Sequence, residues 1–130
     1  MAHPNEDLIR RGFEAFSKGD LETLRNEIFA SDVKYHVPGK SPISGDYNGI
    51  DEVLGFFGQI FELTGGTFRV ELHDVLANDE HGIALSPATG QRDGKTLQDN
   101  GVLVFHFRDD KASEVWLHPA DLYASDEFFA

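Results

Sequence analysis

Near Thr67 the chain changes its period, and that change constrains the fold more than any other feature. Before it, apolar residues recur every third or fourth position; after it, they recur every second. Upstream, Leu8, Ile9, Phe13 and Phe16 make one helical stripe that stops at Lys18-Gly19, with Asn5 as its expected N-cap. Asp20 caps a second, shorter helix carrying Leu21, Leu24 and Ile28. A short strand, Val33 to Val37, follows, then a Gly-, Pro- and Ser-rich loop from Pro38 to Gly49. Val53, Leu54, Phe57, Ile60 and Phe61 mark a third helix from Ile50 to Leu63, ended by Thr64-Gly65-Gly66.

Downstream the alternation predicts four antiparallel strands. Phe68 to Leu76 is the first, turned by Asn78-Asp79-Glu80. The second includes Ile83-Ala84-Leu85 and is weakened at its far end by Pro87. Asp93-Gly94 is a primed hairpin turn. A long hairpin closes the run, Asn100 to Arg108 and Ser113 to Asp121, turning at Asp109-Asp110. Helices followed by strands predict an α+β domain, residues 1–130. Its curved antiparallel or mixed sheet is expected to form a cone, with three helices in the N-terminal half enclosing a cavity.

Composition removes several function classes. The formal charge of −12 repels phosphate backbones and anionic headgroups, so neither a nucleic acid nor a membrane is an expected partner. There is no cysteine, which excludes disulfides, thiol catalysis and Cys-based zinc sites. The six histidines show no HxH, HExxH or HxxxH spacing, so no metal site is expected. No nucleotide-binding glycine motif or nucleophile elbow occurs, and no cofactor is expected. The first residues lack a signal peptide's basic and apolar regions, and the expected location is cytoplasmic. Eleven Phe point to an aromatic-rich interior.

Trp116, His118 and Asp121 stand within six residues on the last strand. Glu114, Trp116 and His118 share one parity; Val115 and Leu117 share the other. Either the mixed face lines the cavity, or the apolar face packs on the helices and leaves Trp116 and His118 at a dimer interface. Tyr35 and His36 alternate, so one points inward at most. His36 is a candidate general base by its ordinary pKa near ~6.5. His106 is expected to pair across the hairpin with His118 or Trp116. Asp121 is either a pocket carboxylate or an exposed cap.

Two segments, Val37 to Gly49 and Glu114 to Tyr123, resemble SnoaL-like domains of the nuclear-transport-factor-2-like superfamily, and the resemblance runs from about Asn5 to Phe129. That superfamily includes ketosteroid isomerases, limonene epoxide hydrolases, scytalone dehydratases and polyketide cyclases. The resemblance implies a homodimer paired through the sheet and a small hydrophobic molecule as ligand. It also implies cofactor-free acid–base chemistry of the isomerase, cyclase, dehydratase or hydrolase kind. Asp121, with His118 or His36, would move protons. Trp116, Tyr35, His106, Phe57, Phe16 and Tyr123 would shape the substrate pocket. The isomerases' carboxylate base is replaced here by Tyr35 and His36, and the hydrolases' Asp–Arg–Asp pattern is not evident. The other reading is a non-catalytic ligand-binding or dimerisation module.

Overall fold

A computed structural model describes residues 3–130. Helix α1 spans Pro4–Lys18. It is capped by His3 and not by Asn5: the His3 imidazole accepts from Asn5 N–H, and the Glu6 carboxylate accepts from His3 N–H at 2.8 Å. Pro4, pre-set to helical φ, starts the helix two residues early. Asn5 is instead buried, and its amide donates to the carbonyls of Asn78 and Asp79. Gly19 ends α1 at φ 67°. Helix α2, Leu21–Thr23, is capped by Asp20 and runs into a π-helical turn, Leu24–Ile28, that buries Leu24 and Ile28.

Strand β1 begins where that turn ends and spans Phe29–Val37, longer than predicted. The expected loop contains a strand: β2, Gly45–Asn48, pairs with β1 and leaves only Pro38–Ser44 as loop. Helix α3 spans Ile50–Leu63, as predicted. The first predicted sheet strand is two short ones, β3 (Arg69–Val70) and β4 (Asp74–Ala77), both on β5. Strand β5, His81–Arg92, continues through Pro87. The Pro87 carbonyl accepts from Glu71 N–H, so its missing N–H faces the irregular 71–73 link and not the ladder with the next strand. Strands β6 (Lys95–Arg108) and β7 (Lys111–His118) complete the sheet. Asp93-Gly94 and Asp109-Asp110 turn with positive φ at both residues, as primed turns require. A fourth helix, α4, Leu122–Phe129, is absent from the sequence reading.

The sheet is curved, mixed and unclosed, in the order β2-β1-β7-β6-β5-β3, with β4 also on β5. Strand β7 pairs antiparallel with β6 and parallel with β1. Register shifts in both ladders, one at His106/Phe107, add bend and twist. The inner parity buries Val33, Tyr35, Ala84, Phe105 and Val115 against the helices. Phe16 meets Phe57 edge-on with ring centroids 5.0 Å apart, and Phe56 and Phe57 pack on Tyr35. Among the described residues no helix is long and apolar enough to cross a membrane.

Candidate functional site

Helices α1 and α3 do not fill the hollow of the sheet. A cavity of about 130 Å³ remains, lined mostly by apolar side chains that include Phe16 and Phe57. That is close to the dry, roughly 150 Å³ space that holds a benzene in an engineered protein core. Its enclosed part therefore suits one ring.

Two lining residues carry titratable side chains, Tyr35 and Asp99. Tyr35 points inward because it shares parity with Val33 and Val37 and sits opposite Val115. It is only 7% exposed, and its hydroxyl makes no hydrogen bond to any described residue. Every fully enclosed side-chain nitrogen or oxygen among the described residues has a partner, so this hydroxyl opens onto the cavity. Burial pushes the phenol well above its ordinary pKa, which keeps it protonated and a donor.

Asp99 follows the inward parity of Leu97, Gly101, Leu103 and Phe105 along β6. Its two oxygens accept the backbone N–H of Ala120 (3.2 Å) and Asp121 (3.1 Å). A Cβ on Gly101 would stand 3.1 Å from Asp99 Oδ2, so the absent side chain gives this carboxylate its room. Ser86, Ser41 and Ser125 supply the remaining polar side chains of the wall, and Ser86 donates to the Gly101 carbonyl.

The other expected site residues lie elsewhere. His36 stands opposite Trp116 in the β1–β7 ladder, which puts both on the outer face of the sheet. Their rings stack at 5.4 Å, and Trp116 meets His106 edge-on at 4.6 Å. His106 stands opposite Glu114 with Trp116 as its diagonal neighbour, so the expected pairing across the hairpin is made with Trp116 and not His118, and its ring also touches His81. His36 bridges two carboxylates, Asp46 at 2.7 Å through Nδ1 and Glu114 at 2.6 Å through Nε2. Burial alone would lower its pKa; the hydrogen bonds to Asp46 and Glu114, with their charges, outweigh that and leave it raised. His118 is exposed on the same outer parity. Asp121 is exposed and caps α4, accepting from Ala124 N–H at 3.1 Å. Tyr123, 89% exposed, points away from the body on α4.

Of the expected residues, Tyr35, Phe16 and Phe57 therefore border the cavity; Asp121, His118, His36, Trp116, His106 and Tyr123 do not. Asp99 was missed. The signal was a carboxylate on the parity of Gly101, Leu103 and Phe105, hidden because the strand was read as starting at Asn100. Among the described residues no three His, Asp or Glu side chains converge as a metal-ligand set.

The sequence model of the SnoaL-like domain matches residues 9–115. The chain belongs to the SnoaL-like domain family. Its α+β architecture has the fold of solved nuclear-transport-factor-2-like proteins. The chain is 35% identical over 125 residues to an uncharacterised protein of Mycobacterium bovis, covering 95% of each. It is 38% identical to Bal32a, from a soil-derived mobile gene cassette, with a TM-score of 0.95 over 99% of this chain and 98% of that one. TerC, solved in a co-crystal with polyporic acid, shares the fold at 21% identity and a TM-score of 0.84, over 98% of each chain.

Proposed function

We propose that this SnoaL-like domain binds a small, largely apolar organic molecule in its interior cavity, with an oxygen of the ligand accepting a hydrogen bond from Tyr35. The observation that carries this reading is the Tyr35 hydroxyl, buried, protonated and without a partner among the described residues in a ring-sized apolar space. An unmet donor in such a place costs stability unless something fills its need. A carbonyl does so, and the hydrogen bond then draws charge onto its oxygen and acidifies the neighbouring C–H. Asp99, the one carboxylate in the wall, would take a proton from a ligand long enough to reach its end of the cavity. The chemistry is cofactor-free and of the isomerase, cyclase, dehydratase or hydrolase kind. The co-crystal of the more distant TerC with polyporic acid is compatible with a pocket in this fold.

The test compares cyclohexanone with methylcyclohexane as probes, by NMR titration. Tyr35→Phe is expected to weaken the ketone by about 10-fold, one hydrogen bond's worth, and to leave the hydrocarbon unchanged. Equal loss of both, or no binding of either to the unaltered protein, rejects the reading.

A second reading, a dimerisation module, draws support from the outer face. Ile83 (42% exposed) and Leu76 (59%) stand there beside the His36–Trp116–His106 cluster, with no helix over them. Four of the six histidines, His36, His81, His106 and His118, share this face, while His36 occupies two of its carboxylates. In a chain of charge −12 it is a comparatively uncharged surface, suited to a second copy of the same chain.

A further inference from the structure

We propose that molecules reach the cavity beneath α4, and that Asp99 governs the passage. It holds this roof shut and, as the one carboxylate in the wall, it admits neutral and cationic molecules and turns anions away. The latch stands on geometry alone; the charge filter rests on the cavity being the binding site proposed above.

Most of the wall is sheet or long helix. One end is different: it is made by the Pro38–Ser44 loop, Pro119 and α4. Eight residues are too few for a helix to hold itself together in water, so α4 depends on its tethers. Asp99 accepts from the two consecutive N–H groups that lead into it, those of Ala120 and Asp121. Midway, both oxygens of Asp126 accept from Lys40 N–H at 3.0 and 3.1 Å, which joins the loop to the helix. At the far end Arg92 donates to the carbonyls of Phe128 and Ala130, and Lys95 to that of Glu127. Gly39, at φ 104°, is shaped for this closure; a Cβ there would collide with Asp126.

Apart from Tyr35, the polar part of the lining gathers towards this roof. Ser41 and Ser125 belong to it, and Asp99 carries its hinge. Among the described residues the wall contains no Lys, Arg or His. Anything passing under α4 meets a carboxylate with no counter-charge in the wall, inside a strongly acidic molecule. A ligand carboxylate is repelled there in a partly desolvated setting, where charge repulsion is weakly screened. Because the same carboxylate binds the hinge, losing its acceptors also loosens the roof.

The experiment uses the full chain and two variants that separate the halves. Asp99→Ala removes both acceptors; amide hydrogen exchange at Ala120 and Asp121 is expected to accelerate by about 10-fold or more while the central β6 and β7 amides stay protected. Asp99→Asn keeps an acceptor and removes the charge. Benzyl alcohol, benzylammonium and benzoate serve as ring-sized probes by NMR titration. On the unaltered protein benzoate is expected to bind at least about 30-fold more weakly than benzyl alcohol, and Asp99→Asn to narrow the gap to about threefold. Unchanged exchange in Asp99→Ala overturns the latch. Equal binding of benzoate and benzyl alcohol to the unaltered protein, or a gap that survives Asp99→Asn, overturns the filter. If benzyl alcohol itself fails to bind, the binding reading falls and the filter with it, while exchange at Ala120 and Asp121 still decides the latch.

Discussion

Replacing His36 by Phe should destabilise the protein at pH 6 and hardly at pH 9. The phenyl ring keeps the stack on Trp116 but donates nothing to Asp46 or Glu114. Both ring nitrogens of His36 face carboxylates, so the bridge is complete only when both carry a proton. The two bonds differ in worth. Glu114 is 29% exposed and its bond is charge-assisted, worth about 1.5 kcal/mol. Asp46 is 69% exposed and solvent screens it, leaving about 0.5 kcal/mol. The expected loss is therefore about 2 kcal/mol where His36 is charged. Its folded pKa is raised above the unfolded value of about 6.5, so the stabilisation is complete below the unfolded value and is lost as pH rises through the folded one. Urea denaturation of both proteins at the two pH values measures this, and a Glu114→Gln background isolates the stronger bond. An equal penalty at pH 6 and pH 9 would refute the charged bridge and reduce His36 to a packing residue.

Asp121→Ala should cost about 1 kcal/mol, the usual price of a lost N-cap, with faster amide exchange confined to α4; no change in either would mean that the cap is idle. Gly82→Ala should lower stability by about 1–3 kcal/mol, because the new Cβ would stand 2.7 Å from Ile9 Cδ1 and 2.8 Å from Phe107 Cζ; an unchanged thermal midpoint would show that these tips yield freely. Ile83→Lys should convert a sheet-paired dimer into monomers in sedimentation while changing the stability of the monomer by no more than about 0.5 kcal/mol. The same oligomeric state in both proteins would remove the outer face as an interface.

What the sequence disclosed follows the range of the interactions involved. Helix α3 and the turns at Asp93-Gly94 and Asp109-Asp110 rest on neighbours a few residues apart, and each was legible. So was the alternation that sends Tyr35 and His36 to opposite faces. Which face was inner was not legible at Trp116, since both parities of β7 carry large apolar groups. The parallel ladder with β1, about eighty residues away, decides it by setting His36 against Trp116. Helix α4 was hidden for the same reason. Its own residues are too few to declare it, and its tethers come from Lys40, Arg92, Lys95 and Asp99. Asp99 escaped notice because its importance lies in facing inward from a strand whose beginning was placed five residues too late, at Asn100 and not Lys95.

The placement of β7 between β1 and β6 also sets a timetable. As the chain leaves the ribosome, α1, β1, β2 and α3 appear with one edge of β1 open, and the strand that covers that edge is the last of all. β5 and β6 can zip together locally as a hairpin, but they join β1 and β2 in one sheet only when Lys111–His118 arrives to pair with both β1 and β6. Until then Phe29, Tyr35, Phe56 and Phe57, all buried in the finished protein, lack the sheet that encloses them. Folding of this domain should therefore wait for residues 111–118 and, with so distant a pairing to close, be slow, on the order of milliseconds to seconds. A nascent chain halted before residue 111 would be a sticky half-molecule whose unpaired β1 edge invites another chain.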